Sequence, residues 1–136
     1  MVLGVDSSIL LGLVKDKTLY RPWLEFILDL NSEAQLVVCD VVYAEISSIY
    51  DDEAELQAAL NLMGINYDVI RSDTAFLAGE IYTAYRHAGG PRTNLVPDFL
   101  VGAHALNQAN GLLTTDRGYL RTYFRGLKLL QPKTKN

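Results

Sequence analysis

Cysteine is nearly absent from this 136-residue chain: Cys39 is the one thiol, so no internal disulfide can form. It sits in the apolar run Leu36-Val37-Val38-Cys39, where a thiol acts as a small buried hydrophobe. No apolar run approaches the roughly 18 residues of a membrane span. No basic-then-apolar leader precedes the first predicted strand at Val2. These absences set the expectation of a protein without a membrane segment, working in the reducing cytoplasm. No repeat or low-complexity linker interrupts the chain. The length fits one domain with one core.

Positive charge is also scarce, but only in part of the chain. Residues 1–85 hold 4 Lys/Arg against 14 Asp/Glu, whereas residues 86–136 hold 8 against 2. The net charge of −4 therefore hides an acidic two-thirds and a basic remainder. Such a division suits a polyanion or an oppositely charged partner, and equally an unevenly charged solvated surface.

Apolar runs and helical periodicities alternate. Strands are expected at 2–6, 35–39, 65–70, 111–114 and 127–130. Helices are expected after Ser7-Ser8, near Pro22, after Asp40 as N-cap, over 51–63, after Ser72 or Asp73, from Pro97-Asp98, and over 116–124. Leu77, Ile81, Ala84, Tyr85 and Ala88 form the expected core stripe of the fifth helix, and Val101, Gly102, Ala105 and Ala109 a small-residue side of the next. Continuous apolar strands alternating with helices predict an α/β domain. Its central parallel sheet has about five strands, with helices on both faces. Ligands in such sheets bind beyond the carboxyl ends of the strands.

Four acids adjoin apolar runs: Asp6 after Val2-Leu3-Gly4-Val5, Glu45 in Val41-Val42-Tyr43-Ala44-Glu45-Ile46, Asp98 after Pro97, and Asp116 after Leu113-Thr114-Thr115. Carboxylates are rarely buried without a partner or a metal, so acids at the ends of core elements suggest one site for a hard divalent cation. Asp6, Asp98 and Asp116 are each also explicable as helix caps. Glu45, set mid-helix, is not. His87 and His104 read as helix-end and surface or packing residues. Tyr82, Tyr85, Tyr119 and Tyr123 read as core or interface residues, with base stacking as the alternative. Arg117, Arg121 and Arg125, spaced by four, would make a basic stripe able to hold RNA phosphates or an acidic peptide.

Taken in order, Asp6-Ser7-Ser8, Tyr43-Ala44-Glu45-Ile46, Pro97-Asp98-Phe99-Leu100-Val101-Gly102-Ala103-His104-Ala105 and Leu113-Thr114-Thr115-Asp116 resemble the PIN-domain ribonucleases, and among them the VapC-type toxins of toxin–antitoxin pairs. The resemblance spans nearly the whole chain. It implies that Asp6, Glu45, Asp98 and Asp116 are the acidic quartet that holds Mg²⁺ or Mn²⁺, with Thr114 as the polar residue beside it. Asp6 and Asp98 are then expected as direct ligands, Glu45 as orienting the water or binding the metal through it, and Asp116 in an outer or second-metal position. RNA would be hydrolysed to 5′-phosphate and 3′-hydroxyl ends, and a homodimer and an antitoxin partner are implied too. Arg92 and Asn94 lie where relatives vary and take no role by matching. Phe99 replaces the small or aliphatic residue found in many of them.

Phosphatases of the haloacid-dehalogenase kind need a second Asp where this chain has Ser8. Receiver domains need an acid pair at the first strand end and a late lysine after a strand, whereas Lys128 falls inside one. The remaining alternative is a catalytically silent PIN-like module that binds RNA or protein.

Overall fold

The computed structural model describes residues 1–91, 94–115 and 118–133; the side chain of Tyr119 is likewise left out of the description. The elements run β1 (Val2–Val5), α1 (Ser7–Lys15), α2 (Lys17–Leu30), β2 (Gln35–Val38), α3 (Asp40–Ser47), α4 (Glu53–Leu62), β3 (Ile65–Tyr67), α5 (Ser72–His87), α6 (Val96–Gln108), β4 (Leu112–Leu113), α7 (Tyr119–Tyr123) and β5 (Leu129–Leu130). The strands form one parallel sheet in the order β3-β2-β1-β4-β5. The chain winds outward from β1 to β3 and then restarts on the other side of β1 with β4. Right-handed crossovers put the helices of the two halves on opposite faces. The reversal opens a crevice between the carboxyl ends of β1 and β4.

The predicted α/β sheet is present, with boundary differences that have physical causes. The second helix begins at Lys17, five residues before Pro22, because Asp16 caps it: its side chain accepts from the Leu19 N–H at 3.0 Å. Pro22 removes one helical bond, and the exposed start of the helix lets water take its place. Asp40 does not cap α3. Cys39 takes the N-cap position, while the Asp40 carboxylate accepts from Ile70 N at 2.8 Å and pulls the chain away from the sheet after Tyr67. That hydrogen bond shortens β3 relative to the apolar run. Arg71 is the N-cap of α5, so Ser72 and Asp73 lie inside its first turn.

The core stripe of α5 is rotated from expectation. Thr74, Ala78 and Tyr85 are buried, whereas Ala84 and Ala88 are exposed. The partner helix explains the shift. On α6, Asn107 Nδ2 donates to Thr74 Oγ1 at 2.9 Å, and the buried His104 bonds Asp68 Oδ2 through Nε2 at 2.8 Å. Gln108 Nε2 donates to the Val69 carbonyl at 3.0 Å. His104 is thus a satisfied interior histidine rather than a surface one, and it locks α6 to the β3–α5 connection. Tyr82, Tyr85, Phe99, Tyr123 and Phe124 pack in one aromatic cluster of stacked, edge-on and tilted rings, the core role expected of the three described tyrosines. No helix among the described residues is long and apolar enough to cross a membrane.

Gly102 sits directly under that cluster, where an added Cβ would stand 2.6 Å from the Phe124 ring. On α5, Gly79 has open space at the same position. Gly102→Ala is expected to cost about 1–3 kcal/mol by overpacking, whereas Gly79→Ala should gain roughly 0.5–1 kcal/mol from helix propensity. Urea unfolding of both variants checks this opposite-sign pair.

Candidate active site at the carboxyl edge

Asp6 leaves the end of β1 in an extended conformation and N-caps α1. Its Oδ1 accepts from the Ser7 N–H at 2.8 Å. Its Oδ2 accepts from the Thr114 hydroxyl at 2.7 Å and from Ser8 Oγ at 3.4 Å. Thr114 is fully buried and follows β4, so this short charge-assisted bond joins the two strand ends across the crevice. The backbone adds a second tie, Asp6 N–H to the Leu113 carbonyl at 2.9 Å. Sequence neighbours alone gave Asp6 two readings, cap or site residue. The structure gives it the cap and places it at the crevice.

Asp98 has the same double character. It is the third residue of α6, and its Oδ2 accepts from the Leu95 N–H at 2.8 Å while its own N–H donates to the Leu95 carbonyl at 2.9 Å. This reciprocal pair closes the helix start. The hydrogen bond fixes the carboxylate at the amino end of α6, where the helix dipole favours it.

Glu45 comes from α3, and as a whole residue it is exposed, not buried as its apolar neighbours suggested. One helical turn carries Val42 and Ile46 into the core and leaves Glu45 on the outer side. Its Oε1 accepts from the Ser7 hydroxyl at 3.0 Å. The Glu45 carboxyl is pushed above the ordinary glutamate range, first by partial withdrawal from water and further by the charges of Asp6 and Asp98; the Ser7 hydrogen bond opposes the shift. Exposure of the residue and desolvation of its carboxyl are compatible, because the carboxylate is held by the hydroxyl of the buried Ser7. The electrostatic coupling ties residues 6, 45 and 98 into one neighbourhood.

Asp116 and Arg117 lie outside the described residues. Arg121 is exposed on α7, which is only five residues long, and Arg125 comes after its end, so the spacing of four does not make one continuous helical stripe. Ser7 is the residue that sequence reading undervalued. It was a capping residue by type, yet its buried hydroxyl holds a carboxylate 38 positions away. No local signal encodes a partner that distant.

The donor set here is entirely oxygen: three carboxylates and the hydroxyls of Ser7 and Thr114. That chemistry fits a hard divalent ion. Among the described residues, no three acidic, histidine or cysteine side chains close into a ready-made cage. An open set suits Mg²⁺, which keeps several waters and takes only one or two carboxylates directly.

The raised Glu45 pKa makes a pH prediction. In metal-free buffer, the folded protein binds this proton more readily than the unfolded chain. Its contribution to stability is therefore favourable at low pH and is lost as pH rises from the ordinary 4.5 through the folded value. Glu45→Gln should unfold at a higher temperature than the wild type at pH 7 in EDTA, with the gap closing below about pH 4. Ser7→Ala should raise the Glu45 pKa further, as read by carboxyl-carbon NMR titration.

Comparison with known proteins bears on the family and the fold. The PIN domain family model matches residues 4–125. No curated protein matches the chain by sequence. Among solved structures, a chain of VapBC2 from Rickettsia felis, bound to a DNA fragment from the promoter, superposes with a TM-score of 0.70 at 20% identity, covering 96% of this chain and 98% of that one. VapBC-1 from nontypeable Haemophilus influenzae gives 0.70 and 20%, with 96% and 97% covered. A toxin–antitoxin complex from Klebsiella pneumoniae gives 0.65 and 20%, with 96% and 98% covered. At this identity the likeness is one of fold, and it extends over nearly the full length of each chain. With the family model covering all but the two ends, the chain belongs to the PIN domain family.

Proposed function

We propose that this protein is a Mg²⁺- or Mn²⁺-dependent endoribonuclease, acting in the cytoplasm as the toxin of a toxin–antitoxin pair. The observation that carries the reading is the meeting of Glu45 with Asp6 and Asp98 at the sheet's reversal point, where partial withdrawal from water first, and the charges of the two aspartates next, push the Glu45 carboxyl up. Three carboxylates drawn together in this way repel one another, and a divalent cation relieves the repulsion. Bound there, such an ion supplies phosphate polarisation, water activation and stabilisation of the leaving oxygen.

In this proposal Asp6 and Asp98 are direct ligands and Asp116 completes the quartet. Thr114 fixes the rotamer of Asp6 by its hydrogen bond. Ser7 does the same for Glu45, which orients the attacking water or receives its proton. Arg121, exposed on α7, contacts RNA phosphates together with Arg117. The fold shared with chains of VapBC complexes supports an antitoxin partner. An apolar groove of about 390 Å³ supports it too, lined by Leu10, Leu13, Val14 and Met63 and edged by Lys17 and Arg21. A homodimer is proposed on the apolar face of α5, where Phe76 is 72% exposed.

Purified protein should cleave mixed RNA in Mg²⁺ or Mn²⁺ and lose cleavage in EDTA. Asp6→Asn and Asp98→Asn should each lower the rate at least 100-fold, in keeping with the size of electrostatic contributions at such sites. Undiminished cleavage in both variants contradicts the site. No cleavage by the wild type across diverse RNAs favours a silent binding module instead. Arg121→Ala should weaken RNA binding uniformly and reduce the slope of log affinity against log salt by about one.

A further inference from the structure

At the outer edge of the sheet, Tyr43 of α3 and Tyr67 of β3 form two walls of a pocket of about 410 Å³, with Glu53, Gln57, Asn61 and Asn66 among its other lining residues. The ring centroids are 4.6 Å apart and the planes are inclined at 56°. The Tyr43 hydroxyl donates to Glu53 Oε2 at 2.8 Å, and Tyr67 is 46% exposed. Tyr67 pairs in register with Val38, two strands from β1. At a strand spacing of about 4.8 Å, the pocket therefore lies roughly 10 Å from the strand carrying Asp6. It is a separate place on the molecule.

The pocket's surroundings are negative. Asp51 and Asp52 line the adjoining groove with Glu53, and the Asp40 charge acts on Tyr67. Helix capping accounts for some of these acids: Asp52 accepts from Glu55 N–H, and Glu55 accepts from Asp51 N–H. Glu53 has no such duty and is instead directed onto Tyr43. Both tyrosine hydroxyls are raised in pKa, first by desolvation and then by the neighbouring carboxylates. None of the residues lining the two grooves is a lysine, arginine or histidine.

Ring faces, a carboxylate and three side-chain amides in one recess are acceptors for a planar cation. A guanidinium stacks on aromatic faces and presents five N–H donors in a rigid fork. Phosphate groups would meet Glu53 in the pocket and Asp51 and Asp52 in the adjoining groove, which disfavours a nucleic-acid backbone. We infer that the Tyr43–Tyr67 pocket receives an arginine side chain presented by a partner protein. The inference does not depend on the nuclease reading, because it uses none of the acids at the β1–β4 crevice.

The test is NMR of the full chain with ¹³C-labelled tyrosine, titrated with the blocked tripeptide Gly-Arg-Gly, its citrulline counterpart, free L-arginine and a short RNA. The arginine peptide should give saturable shifts centred on Tyr43 and Tyr67, with the citrulline peptide at least tenfold weaker. Glu53→Gln, a surface change, should weaken the arginine peptide severalfold while leaving RNA cleavage unchanged. Tyr67→Leu should abolish saturation while the backbone spectrum stays folded. Absence of saturable shifts, equal binding of both peptides, tighter binding of free arginine, or saturable RNA-induced shifts centred on Tyr43 and Tyr67 would each overturn the proposal.

Discussion

The acidic edge depends on the pairing of β1 with β4. These strands are 108 residues apart where the Thr114 hydroxyl meets the Asp6 carboxylate, and they form the boundary at which the sheet reverses its winding. Parallel register aligns their carboxyl ends, so residues that follow each strand face one crevice. Gly4 makes the alignment close: its N–H donates to the Gly111 carbonyl at 2.9 Å, and an added Cβ would stand 3.2 Å from Leu112. Were this pairing to slip, Asp6 would lose Thr114, and the approach of α6 to β1 would be altered with it. The site is a consequence of topology before it is a consequence of any single residue.

Capping and site-building are not alternatives here. Asp6 and Asp98 each satisfy backbone N–H groups at a helix start, and those bonds aim the carboxylates at fixed points. The pKa of Glu45 is raised first by its partial withdrawal from water and further by the charge of these two groups. A carboxylate at the amino end of a helix is stabilised by the dipole, which offsets part of its repulsion by neighbours. The fold can therefore keep acids together without burying any of them fully. Glu45, outermost and held by the Ser7 hydroxyl, has its carboxyl pushed up by desolvation and then by these neighbouring charges.

Much of this was legible in the residues. Continuous apolar strands alternating with amphipathic helices are enough to require a parallel sheet, and the order of the four acids with their flanking residues carried the family resemblance. What the sequence concealed were partners set by tertiary geometry. Asp40 resembles an N-cap by type, yet it serves Ile70, thirty residues on, and thereby ends β3 early. His104 reads as a surface or packing residue at its helical position, and burial beside Asp68 makes it a lock between α6 and the β3–α5 connection. Glu45 looked interior because its neighbours are apolar, and helical rotation put it outside. Local patterns report periodicity; they do not report which distant group will face a side chain.

The most direct measurement is site mapping with Mn²⁺ as a paramagnetic probe of the backbone and side-chain NMR signals, in the absence of RNA. The account predicts saturable broadening centred on Asp6, Ser7, Glu45, Asp98 and Thr114, displaced by excess Mg²⁺ and abolished by Asp6→Asn. Broadening centred instead on the Asp51–Glu55 acids, or unchanged by Asp6→Asn, would contradict the claim that these carboxylates form one metal-binding site.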